Sequence, residues 1–361
     1  MKEPIRIQSQ RLIKGFSIST IFGSLHLNLN KVMKRNCFIG IDISKLKLDV
    51  CIYDHKHKKE HKYFIVENNE KGFKALIKKL LKEEIILKEV FVCLEHCGVY
   101  GLETAYFLDQ KVSFCFCNPL HIKRSLGIVR GKNDKLDSFQ IARFCYIFRD
   151  ELKADTVPTE LMLKIKTLMS ERTRVKKAIV IEKQIKKDHF KYLSSSAQSR
   201  SIRKLKQLKE DKKCIEKEVE ALINSDKPLM TNYELLTGII GIGLVNATLM
   251  LLFTNNFKGI TDARSFACYC GVAPFEHSSG TSVRGKTRVS RMANKKVKAE
   301  LSNAARSAVI HDPELKMYYK RKRNEGKAHG TVLNAVKFKL ITRSFAVVKR
   351  GTPFIKLRVA G

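Results

Sequence analysis

The chain has 361 residues, 44% of them hydrophobic, enough to bury a core in two or three units. Its 70 Lys and Arg against 35 Asp and Glu leave a formal charge of +35, an excess that a generic soluble enzyme does not need. The simplest partner for it is a polyanion, above all nucleic acid; a membrane surface is the competing reason, and an AT-rich genome that inflates Lys and Ile is the bland one. The ten Cys form no C-x2-C pair and no zinc-finger spacing, so they read as reduced, buried cytosolic thiols. Residues 16–30 are uncharged but rich in Ser and Asn and lack a cleavage site, which argues against a signal peptide. Residues 1–35 read as a disordered extension, with Met33 as an alternative start.

In chain order, CFIGID (37–42) and LDVCIYD (48–54) read as two strands joined by a tight turn through Ser44 and Lys45. A third strand covers 61–68 and a helix 72–82. EVFVCLE (89–95) is a fourth strand, followed by a helix over 101–109, a fifth strand over 112–118 broken by Pro119, and a helix over 134–148. This is an α/β domain spanning 36–155. In 156–228, Leu161, Ile165, Leu168, Val175 and Ile179 recur at helical spacing, and so do Ile202, Leu205, Leu208, Ile215, Val219 and Leu222. Two long helices folding back as an antiparallel coiled-coil hairpin fit this, with SSSAQSRS (194–201) as the breaker and Pro228 as the end.

A mainly helical unit follows over 229–361. Its stretch 235–257 is long and apolar enough for a membrane span, but its clustered Gly and Asn246 suit a turn between two buried helices better. GIIGIGLVNA also resembles a helix-hairpin-helix, whose glycine amides face a phosphate; an ordinary glycine turn is an equally good reading. The segment 271–293 is polar, basic and Gly-punctuated, and reads as an exposed functional loop.

Four carboxylates stand out. Asp42 ends the first strand and Glu95 the fourth; Asp134 and Asp137, three apart, share one face at the start of a helix. Each alone is explained by a turn or by helix capping. Together they form a set that repels itself unless cations sit among them. Mg²⁺ (or Mn²⁺) suits hard oxygen ligands and substrate phosphates. In the basic loop, Ser278-Ser279-Gly280 precedes Arg284, Lys286, Arg288 and Arg291, guanidinium and ammonium groups able to hold a phosphodiester. Lys132 adds a further cation ahead of Asp134.

GIDISKLKLDV, CLEHCGVYG, NPLHIKRSLGIVRGKNDKLDSFQIARF and GVAPFEHSSGTSVRGKTRVSRM resemble, in order and spacing, the motifs of insertion-sequence transposases of family one-ten, relatives of the Piv invertases. The resemblance runs from about residue 38 to 354 and implies a RuvC-like, ribonuclease-H-like N-terminal domain whose metal-binding tetrad falls on Asp42, Glu95, Asp134 and Asp137. It implies a serine nucleophile before a Gly in the C-terminal transposase domain, here Ser279, with Ser278 and Ser290 as rivals. The expected activity is cutting and rejoining DNA through a covalent phosphoserine, mobilising an insertion sequence. Expected partners are DNA and a second or further copies of the chain, as dimer or tetramer. Some members use a structured guide RNA, and the basic surface suits RNA as well. A cytoplasmic, nucleoid-associated location without membrane contact follows. The alternatives are a metal-dependent nuclease of the Holliday-junction type, which needs the carboxylates but not Ser279, and a non-catalytic nucleic-acid-binding descendant, which needs neither.

Overall fold

A computed structural model describes residues 35–54, 61–127, 131, 133–279 and 283–355. Apart from residue 35, the expected N-terminal extension lies outside the described residues. The chain divides into two compact units, one up to Val157 and one from Pro158.

The first unit is built on a five-stranded sheet. Its strands are β1 (Cys37–Ile43), β2 (Lys47–Tyr53), β3 (Lys62–Glu67), β4 (Val90–Glu95) and β5 (Ser113–Cys117). Their order is β3-β2-β1-β4-β5. The first three pair antiparallel, and β1, β4 and β5 run parallel. Ser44 closes the β1–β2 turn, its hydroxyl accepting the Lys47 amide at 3.2 Å.

Alternation along the strands makes two cores. Ile39, Ile41, Leu48, Val50, Val92 and Leu94 face one side, under Phe73, Leu76 and Leu80 of α1 (Glu70–Lys82) and Ala105 and Leu108 of α2 (Leu102–Asp109). Phe38, Phe91, Cys93, Cys115 and Cys117 face the other side. There they meet Ile122 of α3 (Pro119–Ser125) and Ile141, Phe144 and Cys145 of α4 (Asp134–Ile147). Pro119 ends the fifth strand as expected and also opens α3, where a missing N–H is harmless.

Gly40 decides how close α4 comes. A Cβ on Gly40 would stand 2.2 Å from the Ala142 nitrogen and 2.4 Å from the Ser138 carbonyl oxygen. Only glycine lets the helix rest on the backbone of β1. Asn133 starts that helix, its side chain accepting the Leu136 amide at 2.7 Å.

The second unit opens with α5 (Glu160–Asp188) and α6 (Ser195–Asn224). They pack antiparallel, because Arg172 meets Glu216 at 2.7 Å while Glu182 meets Lys204 at 2.5 Å and Ser201 at 3.1 Å. The serine run expected to break the helix starts it instead: Ser194 caps α6 by accepting the Ala197 amide, and 195–201 lie inside. Pro228 likewise lies in the first turn of α7 (Lys227–Thr237), behind the Asp226 cap, and so begins a helix rather than ending one.

Then come α8 (Leu244–Thr254), α9 (Ala263–Tyr269), β6 (Pro274–Ser279), β7 (Val283–Val289), α10 (Lys295–His311), α11 (Pro313–Asn324) and α12 (His329–Arg350). Met162 and Ile165 of α5 and Val219 and Ile223 of α6 share one core with Leu236, Met250, Phe266, Leu301, Val336 and Leu340.

The apolar stretch 235–257 is indeed a glycine turn between two helices. Gly241 has φ +97°, and a Cβ there would come 2.7 Å from the Ala304 oxygen of α10. No helix among the described residues is long and apolar enough to cross a membrane. The segment 271–293, expected as a loop, contains the antiparallel β6–β7 hairpin. All ten cysteines are free thiols, but not all are buried: Cys214 on α6 is exposed.

Candidate active site

Strand alternation puts Asp42, Asp49 and Glu95 on the face that carries α4, since each is an odd step from the residues of the opposite core. Asp42 and Asp49 are direct partners across β1 and β2. Asp42 and Glu95 each stand one residue beyond Ile41↔Leu94, the last parallel pair of β1 and β4. Because α4 rests on Gly40, its first turn arrives at the same end of β1. Burial raises the Asp42 carboxyl above the usual carboxylate range, and the charges of Asp137, Asp134 and Asp49 raise it further, in that order. Burial also raises the Cys97 thiol, with Asp42 and Glu95 adding to the effect. Glu95 and Asp137 line one groove with Lys123, Arg124 and Gln140. The structure thus gathers all four predicted carboxylates around the ends of β1 and β4.

Asp49 is a fifth acid at this site, absent from the sequence reading. It is 1% exposed, in a strand otherwise apolar on that stretch. Tyr63 of β3 donates its hydroxyl to Asp49 Oδ1 at 2.5 Å. Lys47 Nζ lies 3.0 Å from Asp49 and 2.6 Å from Asp134, an ammonium held between a strand acid and a helix acid. Burial and the Asp49 charge push the Tyr63 phenol up to about 12. The signal available in the sequence was an Asp inside an apolar strand, two residues after a Lys.

The donors are all carboxylate oxygens, which suits a hard divalent cation. Among the described residues no three of them come within 4.8 Å of one another, so the groups are gathered but not drawn tight. Like-charge crowding at Asp42 is the strain that a cation would relieve.

In the second unit, Ser279 is the last residue of β6 and its backbone pairs with Val283 of β7. Ser278 pairs with Arg284 and is exposed. The side chains of Ser279, Arg284 and Lys286, and the whole of Lys132 and Gly280, lie outside the described residues. Ser290 follows β7 and its hydroxyl is engaged locally, accepting the Met292 amide at 3.1 Å. Arg288 and Arg291 are exposed and line a groove with Arg264, Lys298 and Lys337. Burial lowers the Lys337 ammonium below the usual lysine range, and Lys298 and Arg306 lower it further. This crowding of cations is the mirror image of the acidic crowding in the first unit.

Residues 39–191 match the family model described as the DEDD transposase of IS110, and residues 233–320 match the transposase of the IS116/IS110/IS902 family. The chain belongs to the IS110 family of transposases. The first match of this IS110 transposase contains Asp42, Glu95, Asp134 and Asp137; the second contains the β6–β7 hairpin. Over 335 residues it is 26% identical to the pilin gene-inverting protein of Moraxella lacunata, covering 88% of this chain and 98% of that one. The protein of the same name from Moraxella bovis matches equally. The insertion element IS110 uncharacterized 43.6 kDa protein of Streptomyces coelicolor is 30% identical over 152 residues, 42% of this chain and 36% of that protein.

Proposed function

We propose that this transposase cuts and rejoins DNA at specific sites, mobilising an insertion sequence, with Ser279 as nucleophile and Asp42, Glu95, Asp134 and Asp137 as its acidic tetrad. The observation that carries this reading is the gathering of the tetrad on one face of the sheet, with Asp42 held above its ordinary pKa by burial and by its acidic neighbours. The strand order supports a RuvC-like reading of the first unit: three antiparallel strands followed by two parallel ones, with the acids at the ends of the central pair.

In this reading Asp42, Glu95, Asp134 and Asp137 would hold the divalent cation, Mg²⁺ or Mn²⁺. When bound, the cation would supply Lewis-acid stabilisation to charge developing on the phosphate oxygens. Lys47 keeps Asp134 and Asp49 oriented by pairing with both. The Ser279 hydroxyl attacks phosphorus, the displaced strand leaves as an alcohol, and the phosphoserine bond keeps the energy needed for rejoining. Reversal on a second strand end releases the serine. The Arg288, Arg291 and Lys298 groove holds the nucleic-acid backbone, DNA or a structured guide RNA. Ser290 is the weaker rival nucleophile, because its hydroxyl already serves the turn after β7.

The α5–α6 hairpin is the proposed coiled-coil contact to a second copy, since Val180, Ile181, Tyr192 and Ile202 are exposed apolar groups on and around it. Acting on DNA would bring the protein to the nucleoid. Asp42→Ala and Ser279→Ala should each abolish strand exchange on a junction-bearing plasmid while binding to the same DNA survives. Full strand exchange by Ser279→Ala would refute the assignment of Ser279 as nucleophile, whereas cleavage without rejoining would favour the nuclease reading of the tetrad.

A further inference from the structure

Beneath the acidic groove lies a group of side chains that DNA chemistry does not use. Cys93 of β4 and Cys115 of β5 are direct partners across the parallel strands, and their sulfurs are 3.4 Å apart. Cys117, two residues on, faces the same side, its sulfur 3.6 Å from that of Cys115. All three are buried, and the three sulfurs lie within 4.8 Å of one another. A zinc–thiolate bond is about 2.3 Å long. Three points separated by 3.4 Å, 3.6 Å and at most 4.8 Å leave a position about 2.3 Å from all three, so one ion can reach every sulfur without moving the strands.

A second observation points the same way. Asp155 is 4% exposed and lies beside β5, its Oδ2 accepting the Phe116 amide at 2.7 Å. Its Oδ1 is buried and has no hydrogen-bond partner among the described residues. A buried carboxylate oxygen left without a partner is costly, and this one feels the charge of Cys115, though it stands outside the tight group of three sulfurs. Arg35, stacked on the Phe91 ring at 3.8 Å, lies near enough for its charge to favour the Cys115 thiolate.

We propose that Cys93, Cys115 and Cys117 form a structural zinc site. Each thiol gives up its proton to solvent as its sulfur–zinc bond forms, so loading weakens at low pH. The site ties β4 to β5 where Cys117 pairs with Glu95, and so stiffens the strand end that carries that acid. Sequence spacing alone excludes zinc-finger patterns, because the ligands come together only across two parallel strands.

The test uses the full chain, reduced and stripped with a chelator, then titrated with Co²⁺ and back-titrated with Zn²⁺. The expected result is a near-ultraviolet thiolate-to-cobalt absorption that saturates at about one ion per chain, is displaced by Zn²⁺ and persists in Asp42→Asn. Cys115→Ala should lose most of it. Should that variant fail to fold, the wild type still decides. Zinc should then protect Cys93, Cys115 and Cys117 from alkylation under mild denaturant while the exposed Cys214 reacts. No thiolate absorption in the wild type, an undiminished signal in a folded Cys115→Ala, or equal alkylation of these cysteines with and without zinc would overturn the proposal.

Discussion

Gly40→Ala tests the central packing relation of the first unit with a single methyl group. The added Cβ would meet the Ala142 nitrogen at 2.2 Å and the Ser138 oxygen at 2.4 Å, both backbone atoms of α4. Restoring an ordinary contact of about 3.4 Å requires the helix to move away by roughly 1.2 Å. Overpacking of this kind costs about 1–3 kcal/mol, so the melting temperature should drop by several degrees while the fold survives. The larger consequence is at the site, because Asp134 and Asp137 ride on the displaced helix. A misplacement of about 1 Å costs on the order of a hundredfold in rate. Strand exchange should fall by about that factor, measured on a junction-bearing substrate, with DNA affinity unchanged within about twofold. Gly40→Ala with wild-type melting and wild-type exchange would show that α4 does not rest on β1 as described.

Other outcomes follow from the same structure. Tyr63→Phe removes the donor to buried Asp49 and should cost about 2 kcal/mol in denaturant unfolding; an unchanged midpoint would mean that Lys47 alone satisfies that acid. His121 packs edge-on against Phe144, and burial lowers its pKa, while its Nε2 has no partner among the described residues. The unfolded chain therefore takes up the proton first. Stability present above the ordinary histidine range should decline as pH falls through it, and His121→Phe should flatten that decline between pH 7.5 and 5.5. A melting profile equally steep in both proteins would remove His121 as the cause. Arg288→Ala and Arg291→Ala should each lower the slope of log affinity against log salt by about one, for DNA of any sequence; an unchanged slope would take the groove off the nucleic-acid path.

The placing of Asp42 and Glu95 was legible because an apolar run leading into a carboxylate announces the strand; Glu95 ends β4, and Asp42 stands one residue before the end of β1. The shared face of Asp134 and Asp137 was legible from their spacing at the start of a helix; the Asn133 cap was not read. Asp49 was passed over although an acid inside an apolar strand is itself a signal, because its burial depends on Tyr63 and Lys47 reaching it in three dimensions. The β6–β7 hairpin was read as a loop because its strands carry polar residues on both faces and Gly285 interrupts the second. The starts of α6 and α7 were misread for one reason: Ser and Pro interrupt a helix interior but suit its first turn, and only the cap hydrogen bonds of Ser194 and Asp226 distinguish the two. The thiol cluster was invisible for a related reason, since parallel pairing joins Cys93 to Cys115 across an intervening helix.

The measurement closest to the central claim is a covalent trap. The full chain, Mg²⁺ and end-labelled DNA carrying the element's junction, with element-encoded RNA present and absent, would be denatured and separated on a gel. The account predicts a labelled protein–DNA band that requires divalent metal and disappears in both Ser279→Ala and Asp42→Ala. Free cleaved DNA without that band, or a band that persists in Ser279→Ala, would contradict it.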